Sequence, residues 1–114
     1  MPASIDLNQL RRAAEAALVE PDDERRAARL FVAACELAAS DDGVAVAEGR
    51  GVMQLAADEG SPHAALAVGL MMLAGRGGPL DRELGIAYLE RAADAALAAA
   101  AVALGGLLLL DAAR

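Results

Sequence analysis

Shifted along itself by 36 residues, the chain meets its own small and acidic positions without gaps. Asp22, Asp58 and Asp94 coincide, and so do Ala28, Ala64 and Ala100. Leu30, Leu66 and Val102 align, then Val32, Val68 and Leu104, then Ala33, Gly69 and Gly105, then Leu37, Leu73 and Leu109. Gly49 matches Gly85, and Met53 matches Leu89. A chain with 31 alanines yields some coincidences by composition alone, but shared Gly, Leu and Asp positions are not explained that way. A period in the thirties suits a helical hairpin that cannot bury its apolar face alone and stacks on its neighbours. The expected fold is all-α: a short αα-repeat solenoid, about six helices in three antiparallel pairs.

Local signals divide each unit into two helices. Ser61 is an N-cap with Pro62 at the first helical position, and small and apolar residues continue to Ala74. Glycines 75, 77 and 78 end that helix, and Asp81 caps the next, which runs through Leu84, Tyr88 and Leu89 to about Ala93. The same reading predicts helices near 23–40, 46–59 and 97–112, and an opening helix at 6–19. The chain then forms one domain, 1–114, with repeat units near 24–59 and 60–95 and a partial unit at 96–114.

The segment from Gly60 to Asp81, GSPHAALAVGLMMLAGRGGPLD, resembles a Sel1-like repeat. It supplies the family's Ala64, Val68-Gly69, Gly75-x-Gly77 and Asp81, followed by Tyr88 and Ala92-Ala93. Met72 replaces the first aromatic, Gly78 the usual valine and Gly85 the usual alanine. The likeness is good over 60–95, fair over 96–109 and weak over 20–59, where Asp41-Asp42-Gly43 stands in place of the glycine turn. The resemblance implies a TPR-related αα scaffold that mediates protein–protein contacts, usually without catalysis.

The glycines at 75, 77 and 78 also invite comparison with a phosphate-binding loop. Such a loop needs Lys and Ser or Thr after its glycines, or a complete G-x-G-x-x-G after a strand. This chain has no Lys, and Leu80 stands where the third glycine belongs. The stretch Leu73–Asp81 therefore reads as a helix C-cap, a tight connection and the next N-cap.

Composition narrows the function classes. All ten basic residues are Arg, the net charge is −7, and Phe31 and Tyr88 are the only aromatics. An acidic chain repels a phosphate backbone and lacks a base-stacking platform, so nucleic acid is not an expected partner. The charge favours a basic partner without naming one. The Ala-, Gly- and Arg-rich usage fits a GC-rich bacterial genome. Cys35 is the single cysteine, and the N-terminal region shows no secretory pattern, so a cytoplasmic location is expected. Ala95 to Leu110 is apolar without a break, shorter than the roughly 20 residues of a membrane span. It reads as a soluble helix buried or covered by a partner, with a membrane role as the alternative.

Candidate chemistry is sparse. His63 occupies a first-turn position that reads as surface, with Asp58 and Glu59 the nearest potential helpers; a ligand or base role is the alternative, but a metal site needs three or four ligands. Cys35 has no histidine near it in sequence and reads as a buried or half-buried inert thiol. Asp22-Asp23-Glu24 and Asp41-Asp42 sit at helix starts, where carboxylates oppose the helix dipole, or else face a basic partner. No catalytic residue, cofactor or metal is expected.

Binding surface is the richer reading. The first helices of the pairs offer Phe31, Ala34 and Cys35, then Ala67, Leu70 and Met71, an adaptable apolar groove for an amphipathic helix. A neighbouring part of the chain or a second copy is the alternative occupant. Val102, Leu104, Leu107, Leu108, Leu109 and Leu110 cover more than one face of the last helix, more apolar surface than one neighbour buries. Homodimerisation through this helix, centred on Leu107 and Leu108, is expected, two-fold association being the commonest kind. The expected function is a non-catalytic protein-binding scaffold or adaptor. The alternatives are a small immunity or adaptor protein for a toxin or secreted effector and, further off, an enzyme.

Overall fold

A computed structural model of the chain describes residues 7–95 and 97–112, with side chains at 8–95 and 97–107. Six helices follow one another: α1 Leu7–Leu18, α2 Asp23–Ala38, α3 Gly43–Asp58, α4 Pro62–Ala74, α5 Arg82–Asp94 and α6 Ala98–Ala112. Four have a side-chain N-cap. Asp22 accepts from the Arg25 amide, Asp42 from Val44 and Ala45, Ser61 from Ala64, and Asp81 from Leu84. Each such cap contributes about 1 kcal/mol. The third helix starts at Gly43, not near 46 as the sequence suggests, because Asp42 rather than a later residue captures the free amides of the first turn.

The glycine-rich connector is a turn, as expected. Gly75 has φ 67° and Gly77 φ 74°, the left-handed region that favours glycine. The Arg76 amide donates to the Met71 carbonyl at 2.9 Å, closing α4 in the Schellman manner, and the Asp81 amide donates to the Met72 carbonyl. Two arginines bind the connector down. Arg50 of α3 donates to the carbonyls of Arg76 (3.2 Å) and Pro79 (2.8 Å), and Arg76 donates to the Ala38 carbonyl at the end of α2.

Each helix packs on the next in sequence, most extensively α2 on α3 and α4 on α5. The fold is all-α, a short sequential stack of antiparallel helices measuring 45 × 31 × 25 Å, and no strand occurs among the described residues. Small residues set how close the helices come. A Cβ on Gly69 would stand 2.8 Å from the Gly85 carbonyl oxygen, and one on Gly85 would stand 2.9 Å from that of Gly69. Leu30, Leu37, Met53, Val68, Met72 and Leu89 are the large fully buried side chains, and alanines 34, 56, 64, 65, 92 and 100 fill the space between them.

The 36-residue register survives in part. Gly49 and Gly85 are both buried, and so are Met53 and Leu89. Between α2 and α4, burial instead matches at 38 residues: Ala27 with Ala65, Leu30 with Val68, Ala34 with Met72. Ala28 and Val32, the 36-residue counterparts of buried Ala64 and Val68, are exposed. The bulky Leu30 and Leu37 fix the phase of α2 by turning inward, and the many alanines do not resist.

Polar contacts at the surface join α1 to α3 and α3 to α5, and fasten α2 to the end of α3. The Tyr88 hydroxyl and an Arg91 guanidinium N–H both donate to Asp58 Oδ1, at 2.9 and 3.0 Å. Arg26 pairs with Asp23 and Glu59, and Arg11 with Glu48. Among the described residues no charged side chain is buried.

Candidate functional site

The most apolar concavities lie on helix faces, and two of them matter. The first is an open groove of about 590 Å³ between α4 and α6, lined by Leu70, Leu73, Ala74, Ala103, Gly106 and Leu107. Ser61 and Pro62 set the phase of α4, which turns Ala64, Ala65, Val68 and Met72 inward and leaves Leu70 45% exposed. Ala100 of α6 is fully buried, which turns Ala103, Gly106 and Leu107 toward α4. No lining residue of this groove carries a charge. The second concavity is a trough of about 460 Å³ between α1 and α2, floored by Ala13, Ala16, Ala17, Ala28, Val32 and Ala33, with Arg29 and Glu36 at its edge.

The sequence-derived contact residues distribute unevenly over these surfaces. Leu70 and Leu107 come together in the α4–α6 groove. Phe31 is half-buried on α2, its ring 6.1 Å from that of His63, away from the groove. Ala67 is half-buried against the core. Met71 is 7% exposed and belongs to the core, so it offers a partner little surface. Leu108 lies in α6, but its side chain falls outside the described residues, as do those of Leu109 and Leu110. Val102 is 75% exposed, while Leu104 and Leu107 are half-buried. The sequence reading missed Leu73, Ala74, Ala103 and Gly106. Leu73 and Ala74 follow Leu70 at helical spacing and were detectable; the alanine and glycine of α6 carry no signal of their own.

The titratable groups are scattered. Cys35 is exposed rather than buried, since helical phase turns Ala34 inward and its neighbour out. Partial burial, and then the charge of Glu36, push its thiol up from 9.0, which disfavours the nucleophilic thiolate. His63 is exposed as expected. Asp58 is held by Tyr88 and Arg91, and Glu59 by Arg26, so neither turns toward the imidazole as a dedicated partner. Among the described residues no three His, Cys, Asp or Glu side chains are grouped to hold a metal ion. Among them, too, no helix is long and apolar enough to cross a membrane.

The class that these features define is an all-α stack with apolar contact surfaces on its helices. No protein-family model, curated protein or solved structure matches the chain.

Proposed function

We propose that this protein is a non-catalytic protein–protein interaction scaffold that takes the apolar stripe of an amphipathic helix into the groove between α4 and α6. The observation that carries this reading is the groove itself: six uncharged residues on two helices, open to solvent, among them Leu70 at 45% exposure. Helix-in-groove recognition needs an apolar channel whose side chains can adapt, and adds polar groups only at the rim. The Sel1-like pattern over 60–95 supports the same reading, because that family's repeats serve protein contacts. The net charge of −7 favours a partner with basic residues flanking its apolar stripe. Self-association through α6 belongs to the same proposal, since exposed Val102 and half-buried Leu107 present apolar surface there. The setting proposed is the bacterial cytoplasm.

A photoreactive amino acid at position 70 tests the groove in the native host. The expected result is one dominant covalent adduct, mapped by mass spectrometry to a helix of a single partner. Ala74→Arg should abolish that adduct and leave the circular dichroism spectrum unchanged, since Ala74 is exposed. An adduct pattern no different from that of the same probe at exposed Glu83 would overturn the assignment.

A further inference from the structure

Ala13, Gly49 and Gly85 are spaced by 36 residues and share one position on α1, α3 and α5. The surrounding pattern agrees: Leu10 and Val46 are buried, and so are Ala17, Met53 and Leu89. Gly49 and Gly85 are buried against the helix that precedes each of them. A Cβ on Gly49 would lie 2.7 Å from the Ala38 nitrogen of α2, and one on Gly85 2.9 Å from the Gly69 oxygen of α4. Ala13 is exposed. The other half of the pair shows the reverse case. Ala65 and Gly69 of α4 are buried, Gly69 against α5, whereas their counterparts 36 residues on, Ala101 and Gly105 of α6, are exposed. A Cβ on Gly105 would meet nothing within 4 Å. Among the described residues, then, no helix stands against the Ala13 face of α1 or the Gly105 face of α6.

The geometry points to these two faces as each other's occupants in successive copies of the chain. Helix α6 of one molecule lies in the α1–α2 trough of the next, and the molecules associate head to tail. This inference rests on the reading of the protein as a self-associating scaffold, and it replaces two-fold pairing of α6 on itself. The trough lies where a preceding first helix would sit, touching α1 as its partner and α2 as its neighbour. Its exposed Val32 (57%) and the Val102 of α6 (75%) are apolar surface that the isolated molecule leaves in water. Charge permits a second copy at α6: residues 95–110 contain no charged side chain, so two molecules of charge −7 can meet through that helix with little like-charge repulsion. An exposed mid-helix glycine weakens its helix relative to alanine, and what it permits is the close approach of another helix. The contact joins two different surfaces, so it propagates instead of stopping at two copies, unless the rotation closes a ring.

Sedimentation velocity on the full chain, across a wide concentration range, tests this together with Ala13→Arg and Gly105→Arg. Both sites are exposed, and circular dichroism should report wild-type helicity for each. The expected wild type grows beyond a dimer as concentration rises. Each variant alone should be a monomer. Mixed one to one, the variants should form a heterodimer and nothing larger, because each keeps one intact face. If Ala13→Arg remains a dimer, α6 pairs with itself: the head-to-tail contact is refuted and self-association stands. A wild type that is monomeric at every concentration refutes both, and leaves the α4–α6 groove to be judged by cross-linking.

Discussion

Replacing Gly69 by alanine asks whether glycine is needed at the α4–α5 contact. The new Cβ would stand 2.8 Å from the Gly85 carbonyl oxygen and 3.1 and 3.2 Å from the Leu89 side chain. A leucine can shift; a helix backbone carbonyl cannot move without its whole helix, so α4 and α5 must separate by a few tenths of an ångström. Overpacking of this kind costs typically ~1–3 kcal/mol. Helix propensity returns about 1 kcal/mol, because alanine replaces a glycine in a helix interior. The net expectation is a loss of roughly 0–2 kcal/mol, and more for Gly69→Leu. Gly105→Ala is the control. It gains the same propensity and meets nothing within 4 Å, so it should stabilise by roughly 0.5–1 kcal/mol. Urea unfolding followed by far-ultraviolet circular dichroism, at a dilution where the chain is monomeric, measures both. If Gly69→Ala proves as stable as Gly105→Ala, glycine is not required at that contact and the close-packing argument fails.

Other perturbations probe the polar fastenings. Arg50→Lys should cost ~0.5–1.5 kcal/mol and speed amide exchange across 75–81, because an ammonium cannot span the Arg76 and Pro79 carbonyls as the guanidinium fork does. Unchanged exchange there would show that the connector holds without the arginine. Partial burial, and then the hydrogen bond to Asp58, push the Tyr88 phenol above 10.0. A folded-state value raised above the unfolded one gives stability that is present below about pH 10 and is lost as pH rises through the folded value. In a Cys35→Ala background, Tyr88→Phe should therefore flatten the alkaline decline in stability, and an unaltered decline would place its origin elsewhere.

The helices were legible because their punctuation is chemical. Asp22, Ser61-Pro62 and Asp81 announce starts that the structure keeps, and the glycines after Ala74 announce a stop. Helix phase was harder to read. Gly49/Gly85 and Met53/Leu89 preserve the 36-residue spacing, but in α2 the alanines at 27, 28, 33 and 34 look alike in sequence, and only the inward turn of Leu30 and Leu37 tells which of them are buried. Cys35 and Met71 exchanged their expected environments for the same reason: one residue of rotation separates an exposed thiol from a buried one, and a groove methionine from a core one. The binding surface was half legible, since Leu70 and Leu107 stand out while Ala103 and Gly106 do not.

Small residues act here in two ways that the sequence cannot separate. Gly69 and Gly85 permit close contact within the molecule, and both are buried. Gly105 repeats Gly69 at the 36-residue spacing, and Ala13 stands where that spacing has Gly49 and Gly85, one methyl larger; both face outward. Nothing at position 105 distinguishes it from buried Gly69; the difference lies in whether a described helix stands opposite. Where such positions are exposed, on α1 and α6, they present the kind of surface that holds the inner helices together. On the head-to-tail proposal, an uncharged α6 on an otherwise acidic molecule directs such surface toward another copy of the chain.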